Sequence, residues 1–422
     1  MKFKRLKGTQ DILPDQIGQW RYVEDKIRWS MDLFNYQEMR TPAFELTEVF
    51  ARSIGQLTDI VSKEMYSFQD KGKKNITLKP EMTAPVMRAY LEHNMSNIAP
   101  LTKIFYISPL FRQENPQSGR YRQFHQFGAE AIGSNAPELD VELIMLALFI
   151  YKQLGITDLK LKINTVGHPD SRKIYIKELK SYFKPILNQY CRDCQNRINT
   201  NPLRILDCKN ESCQRLNKNA PKLIDFLDDR SLSHFDNVIS LLNANEIVYE
   251  IEPYLVRGLD YYTDTVFEII SDDLGSQDAI CGGGRYDLLS EQFGGAQTPA
   301  IGFASGIERL ILVMEAQNKI KNANTPLDVY ICSMGEKASD ISMIWLQKLR
   351  NLGLRVDRDF LKRSLKAQLR DAGRQNTRIV LLIGENEIAK KSFSVKDMVS
   401  GNQSEIGFNK IEKYLINNLK TG

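Results

Sequence analysis

Long apolar runs are missing from this 422-residue chain; nothing in it approaches the roughly 20 consecutive apolar residues that a membrane-crossing helix requires. The opening residues, MKFKRLKGTQDILPDQ, carry basic side chains with no apolar stretch behind them, so they do not read as a secretory leader. Internal repeats and low-complexity tracts are also lacking. Strong charge of either sign is absent: a net charge of +5 permits an anionic partner such as RNA without demanding one. These absences leave a globular protein with no membrane role, expected in the cytoplasm. The length exceeds one ordinary domain and implies two or three, with a sizeable core.

Cysteine is scarce as well, with six in the chain. Cys281 and Cys332 stand alone, whereas Cys191, Cys194, Cys208 and Cys213 form a CxxC array followed by CxxxxC. In an intracellular chain such spacing favours a metal over disulfides. Short knuckles of this kind can bring four thiolates to one tetrahedral Zn²⁺. The alternative is four unbonded thiols in a small helical region.

Periodicity divides the chain. Residues 18–34 carry Trp20, Val23, Ile27, Met31 and Phe34 at helical spacing. Residues 45–53, 80–93 and 137–154 also read as helices. Residues 66–69 and 75–78 flank the turn DKGKK as a hairpin, and residues 159–166 alternate like a strand. From 168 to 245 the texture shifts to short helical patterns, polar connectors and the cysteine array, the mark of an inserted subdomain. Strand signals return at 248–253, 265–271 and 279–281, with Gly282, Gly283 and Gly284 placed at a turn. Residues 299–316 read as a strand running into a helix. Residues 315–325 are polar and aperiodic, which suggests a linker. The remainder alternates strand and helix, as a small α/β domain does.

The segment FRQENPQSGRYRQFHQFGAE, residues 111–130, is the most informative in the chain. An apolar run precedes it and an alternating stretch closes it, so it reads as strand, basic loop, strand. Arg112, Arg120 and Arg122 at such a hairpin mouth can fork onto phosphate, or they can form a solvated basic turn. Gln126 and Glu130 share one face of the return strand, and His125 falls on the other, as a packing residue.

Four further segments accompany it in order: LKPEMTAP (78–85), LVRGLDYYT (255–263), AICGGGRYD (279–287) and AIGFASGIERL (300–310). Together they resemble the class II histidyl-tRNA synthetases over essentially the whole chain. RGLDYYT and CGGGRYD are the segments that mark this family within the class. RSLKAQLRDAG and VLLIGENEIA, nearer the end, resemble its anticodon-binding domain. The resemblance implies an α+β fold: an antiparallel sheet flanked by helices, a helical insertion, and a C-terminal α/β anticodon-binding domain. The boundaries expected are 1–325 for the catalytic domain, 168–245 for the insertion and 326–422 for the last domain. It also implies a homodimer formed around residues 36–44. The implied reaction joins L-histidine to ATP as histidyl-adenylate and passes the histidyl group to the 3′ end of tRNA(His).

Roles follow residue by residue from that resemblance. Arg112 matches the arginine that grips the α-phosphate, and Arg120 and Arg309 those that hold the β- and γ-phosphates. Arg257 matches the arginine between the α-phosphate and the histidine carboxylate. Glu81 and Gln126 match residues that receive the α-amino group, and Glu130 and Tyr262 those that face the imidazole. Thr83 and Tyr261 complete the histidine-binding set, although neighbours on a strand would put only one of Tyr261 and Tyr262 in the pocket. Attack by a carboxylate on a phosphate brings two anions together, so charge neutralisation by arginines and Mg²⁺ is the chemistry such a site needs. Lys79, Met82, Gln113 and Asn115 depart from common family wording and affect expected tRNA acceptor contacts. A catalytically inert relative, the regulatory subunit of ATP phosphoribosyltransferase, typically lacks the RGLDYYT arginine and the last domain; both are present here.

Overall fold

The computed structural model describes residues 3–53, 60–117, 119–275, 278–320 and 326–419. The chain separates into two compact units, Met1–Asn322 and Ala323–Gly422.

The first unit is built on an eight-stranded sheet. Its spatial order is Gln37–Glu38, Thr102–Phe111, Gln123–Ile132, Ala300–Gly306, Ala279–Arg285, Thr263–Ser271, Leu159–Thr165 and Glu250–Ile251. The two edge strands pair in parallel; the inner pairs are antiparallel. Thr102–Phe111 and Gln123–Ile132 form the expected hairpin without a register break, Ile104 opposite Glu130 and Ser108 opposite Gln126.

Strand alternation sorts the side chains into two cores. Phe105, Phe127 and Ala129 point to one face and pack with the helices Ile17–Leu33, Pro137–Gln153 and Ile307–Ala316. Ile104, Tyr106 and Ile132 point to the other, against the helix Thr83–Glu92 and the insertion. His125 lies on the first face, edge-on to Trp20 with ring centroids 5.0 Å apart. That leaves the opposite face of the sheet to the site.

Three readings are corrected by the structure. Residues 45–53 do not begin as a helix: Phe44–Leu46 is a strand paired with Asn75–Leu78, and the helix is Thr47–Ser53. The glycines 282–284 are not a turn but the middle of the strand Ala279–Arg285. Their lack of side chains admits neighbours that lie directly over the strand, a requirement that local sequence does not distinguish from a turn. Glu315 and Ala316 still belong to the helix Ile307–Ala316, while residues 321–325 of the expected linker lie outside the described residues.

Between the strands Leu159–Thr165 and Thr263–Ser271 the chain makes a run of helices from Pro169–Phe183 to Asp229–Ala244. The second unit has a five-stranded sheet in the order Val356–Arg358, Val329–Ser333, Ile379–Ile383, Ser392–Asp397, Gln403–Gly407. Its first three strands are parallel and its last two antiparallel. It has a core of its own around Trp345, Phe393 and Ile411. Among the described residues no helix is long and apolar enough to cross a membrane.

Candidate active site

Glu130 sits at the bottom of the site, almost without solvent contact at 1% exposure. Its Oε1 accepts from Thr83 Oγ1 at 2.8 Å and from Tyr106 OH at 3.3 Å, and its Oε2 accepts from Tyr286 OH at 2.6 Å. Space for this carboxylate comes from Gly302 on the neighbouring strand, where a Cβ would stand 1.6 Å from Oε2. Burial pushes the Glu130 carboxyl up to about 8, against the pull of the three hydroxyl donors.

Glu81 is the second buried carboxylate. It accepts the backbone N–H groups of Thr83 at 2.7 Å and Ala84 at 2.9 Å, and so caps the helix Thr83–Glu92 from the preceding turn. Burial raises it to about 7, with the two N–H donors and Arg112 opposing. Tyr261 and Tyr262 precede the strand Thr263–Ser271 and are not part of it. Strand alternation therefore does not separate them: their rings lie 4.8 Å apart in the same buried cluster, and Tyr261 also meets Tyr286 edge-on at 5.7 Å. Gln126, on the same strand face as Glu130, lines a neighbouring cleft, from which Arg257 reaches over the Tyr262 ring.

That cleft has a volume of about 1000 Å³ and carries Arg112, Arg120, Arg257 and Arg309 on its walls. Glu114 holds two of them, at 3.6 Å from Arg112 Nη1 and 3.6 Å from Arg120 Nε. Arg112 also donates to the Pro80 carbonyl at 2.9 Å and lies over Phe124, 5.2 Å from the ring centre. Arg309 reaches in from the helix Ile307–Ala316 and donates to the Ala279 carbonyl at 2.6 Å and the Gly119 carbonyl at 3.2 Å. Burial, then the positive charge of Arg120, hold Arg309 below the usual arginine range. Repulsion of this kind among cations is what a bound polyanion relieves.

Arg257 is paired through Nη1 with Glu268, on the strand beneath it, and lies 5.9 Å above the centre of the Tyr262 ring. Burial pulls its pKa down, but Glu268 and Tyr262 outweigh burial and raise it. Its Nε is buried with no hydrogen-bond partner among the described residues.

The four insertion cysteines converge. Their Sγ atoms all lie within 4.8 Å of one another, and those of Cys191 and Cys208 are 3.8 Å apart. The backbone N–H of Cys191 points at Cys213 Sγ from 3.3 Å. The backbone N–H of Cys194 donates to the Cys191 sulfur and holds that thiol below its ordinary range. All four are free of disulfides.

Four participants escaped the sequence reading: Tyr106, Tyr286, Glu114 and Glu268. Tyr286 and Glu114 lay inside segments already singled out, but nothing local distinguishes a buried hydroxyl donor from a core tyrosine. Tyr106 shares the even positions of its strand with Ile104 and Ser108, so parity alone could have placed it on the Glu130 face. Lys79 is buried and donates to the Thr41 carbonyl at 3.2 Å, beside the first strands and outside the cleft lining. Burial lowers it to about 8. His125 accepts a different duty, with Nδ1 3.0 Å from Glu308 Oε1.

A family model described as histidyl-tRNA synthetase matches residues 8–173 and 194–310, and one described as anticodon binding domain matches residues 328–418. The histidine–tRNA ligase of Halothermothrix orenii is 49% identical over 406 residues, covering 96% of this chain and 97% of that protein. Histidine–tRNA ligase 1 of Shouchella clausii is 44% identical with full coverage of both chains. The crystal structure of apo S. aureus histidyl-tRNA synthetase superposes with a TM-score of 0.83 at 38% identity, covering 98% of this chain and 99% of that one.

Proposed function

Because this chain belongs to the histidyl-tRNA synthetase family, and so activates L-histidine with ATP and transfers it to the 3′ end of tRNA(His), we propose a specific division of labour among its residues. The observation that carries it is the position of Glu130, a buried carboxylate ringed by the hydroxyls of Thr83, Tyr106 and Tyr286, on the same strand face as Gln126, which lines the arginine-bearing cleft.

In this reading the imidazole enters between Glu130 and the Tyr261–Tyr262 pair. Its ring N–H donates to the carboxylate, which ionises on contact and rejects side chains of similar size that lack such a donor. Glu81 and Gln126 receive the α-ammonium group, with Thr83 holding the helix start in place. ATP lies along the cleft above. Arg112 meets the α-phosphate, and Arg120 and Arg309 meet the β- and γ-phosphates. Arg257 bridges the histidine carboxylate and the α-phosphate and stabilises the charge that develops there. The carboxylate oxygen attacks phosphorus in line, the bond to the bridging oxygen breaks, and pyrophosphate leaves.

Mg²⁺ arrives with the nucleotide; Glu114 and Glu268 line the same cleft and offer the oxygen ligands that such an ion takes. The four cysteines are suited to a structural Zn²⁺, since they present four sulfur ligands and leave no open ligand position. The second unit binds the anticodon, the protein acts in the cytoplasm, and it works as a homodimer. The regulatory-subunit alternative is disfavoured by Arg257 and by the anticodon-domain match. Pyrophosphate exchange against a panel of the twenty amino acids tests the reading; exchange driven equally by an amino acid other than histidine would sink it.

A further inference from the structure

The insertion holds a cluster of four thiols and one wall of the cleft. Cys208 belongs to both. Cys191 precedes the helix Arg192–Thr200, which carries Cys194; Cys208 follows the helix Leu203–Leu206; and Cys213 lies in the helix Glu211–Asn217. A tetrahedral Zn²⁺ with bonds of about 2.3 Å sets its sulfurs roughly 3.8 Å apart. The Cys191–Cys208 separation already has that value, at 3.8 Å. The backbone N–H of Cys191 also points at the Cys213 sulfur, 3.3 Å away.

The chain on either side of Cys208, from Leu206 to Lys209, lines the cleft that also holds Arg257. Leu206 and Cys208 of this wall pack into the apolar core that also holds Ile205 and Leu223. Asn217 fastens it, donating through Nδ2 to the Ile205 carbonyl at 2.8 Å and the Leu206 carbonyl at 3.3 Å, and accepting from Tyr190 OH at 3.0 Å. Both fastening residues adjoin the cluster: Tyr190 precedes Cys191, and Asn217 closes the helix of Cys213. From the turn after the Cys194 helix, Asn201 Nδ2 donates to Asp260 Oδ1 at 3.1 Å. Asp260 belongs to the loop that carries Arg257.

We propose that a zinc ion at Cys191, Cys194, Cys208 and Cys213 positions the adenylation site, by fixing the cleft wall at Leu206–Lys209 and, through the Asn201–Asp260 hydrogen bond, the loop that bears Arg257. This rests on the zinc reading above and goes beyond it. A staple would matter only to the stability of the insertion, whereas a positioning metal sets the rate of the chemical step. Asn201 is accordingly a positioning residue. Its loss should act on turnover and leave the buried histidine pocket around Glu130 undisturbed.

The test uses the full chain purified without chelator. Metal analysis should find stoichiometric zinc, and Co²⁺ exchanged into the site should give the absorption of a tetrahedral thiolate centre. Zinc is then released with a mercurial and chelator, the thiols are re-reduced, and histidine-dependent pyrophosphate exchange is measured beside circular dichroism and histidine binding. We expect exchange turnover to fall by about 10-fold or more, the scale typical of losing a supporting contact around a metal or active site, with histidine affinity retained and activity restored by added zinc. Asn201→Ala, with its zinc intact, should lower turnover in the same way at nearly unchanged KM for histidine. No zinc and no cobalt spectrum would defeat the metal reading itself. Bound zinc whose removal leaves exchange unchanged would overturn the positioning role and leave the staple standing. If the metal-free chain unfolds, zinc-loaded Asn201→Ala decides, and normal turnover in that variant overturns the proposal.

Discussion

Gly282 and Arg257 compete for the same space: a Cβ at position 282 would stand 2.0 Å from Arg257 Nη2 and 2.4 Å from its guanidinium carbon. Gly282 is in register with Glu268, the carboxylate that pairs with Arg257. The glycine therefore lets the guanidinium lie flat on the strand beside its counter-ion. Gly282→Ala should displace the guanidinium, the far end of a flexible side chain, and leave the sheet folded. A shift of this size costs on the order of 10²-fold in adenylation. Pyrophosphate exchange and a thermal melt measured on one sample separate the two effects; a variant with normal exchange would show that Arg257 does not need this seat.

Removing the guanidinium itself is the stronger intervention. Arg257→Ala should lower single-turnover adenylation by about 10²–10³, the scale of losing one donor to charge that develops in the transition state. Histidine affinity should change much less, since the Glu130 cluster remains. Arg257→Lys should recover only part of the rate, because a point charge cannot bridge two oxygens as a fork does. Equal loss in histidine binding and in adenylation would reassign Arg257 to ground-state binding.

Burial raises Glu130 to about 8 and Glu81 to about 7, both well above the unfolded carboxyl value. For an acid whose folded pKa is raised, the folded state keeps a proton that the unfolded chain has released. The stability contributed by these groups is therefore full below about pH 4, the unfolded value, and is lost as pH rises toward 7 and 8. Glu130→Gln replaces the protonated carboxyl by a neutral group of the same shape, with one donor and one acceptor side. Relative to wild type, the variant should melt higher at pH 8 than at pH 5, while histidine-dependent exchange is abolished. In the wild type, histidine should bind more tightly as pH rises from 6 to 8. A stability gap between the two proteins that does not change with pH would contradict the assignment.

The second unit has its own core and its own sheet, and all the cleft-lining arginines belong to the first. A chain ending at residue 322 should keep most of its histidine-dependent exchange and lose most of its aminoacylation of tRNA. Both assays on the truncated chain, with folding checked by circular dichroism, test this. Equal loss of the two activities in a folded truncation would mean that the second unit supports the chemistry directly.

Much of this was legible before any coordinates, for physical reasons that differ by element. The 104–130 hairpin could be read because its alternation has period two and its faces have opposite chemistry, which places Gln126 and Glu130 together and sends His125 to Trp20. The arginines were legible by type, since few other uses explain so many in motifs of that order. What stayed hidden was long-range. Glu268 supports Arg257, and Glu114 sits between Arg112 and Arg120, yet isolated glutamates carry no sign of their partners. The glycines at 282–284 look the same in a turn as in a strand beneath a guanidinium. Tyr261 and Tyr262 exclude one another only in strand geometry, and the strand begins after them, at Thr263. The convergence of four cysteine sulfurs was readable from spacing, but their place in the cleft wall was not.

The three-stranded sheet of Phe44–Leu46, Asn75–Leu78 and Tyr66–Gln69 offers a last test, of assembly. Phe44, Leu46 and Phe68 are exposed by 54%, 49% and 51%, which is unusual for large apolar side chains on paired strands. They are also contiguous, since Leu46 and Phe68 both flank Ile76 across the three strands. The row adjoins residues 36–44, where the homodimer is expected. A two-fold axis can bury one such patch against its copy, because an isologous contact needs only a single self-complementary surface. Leu46→Glu with Phe68→Glu places charges in that row without touching the core cluster of Val49, Phe50 and Ala84 behind it. Light scattering should give a dimer for the wild type at micromolar concentration and a monomer for the double variant, with exchange activity reduced in parallel. A wild-type monomer under those conditions would remove the dimer from the account, and a double variant that remains dimeric would move the interface to another face.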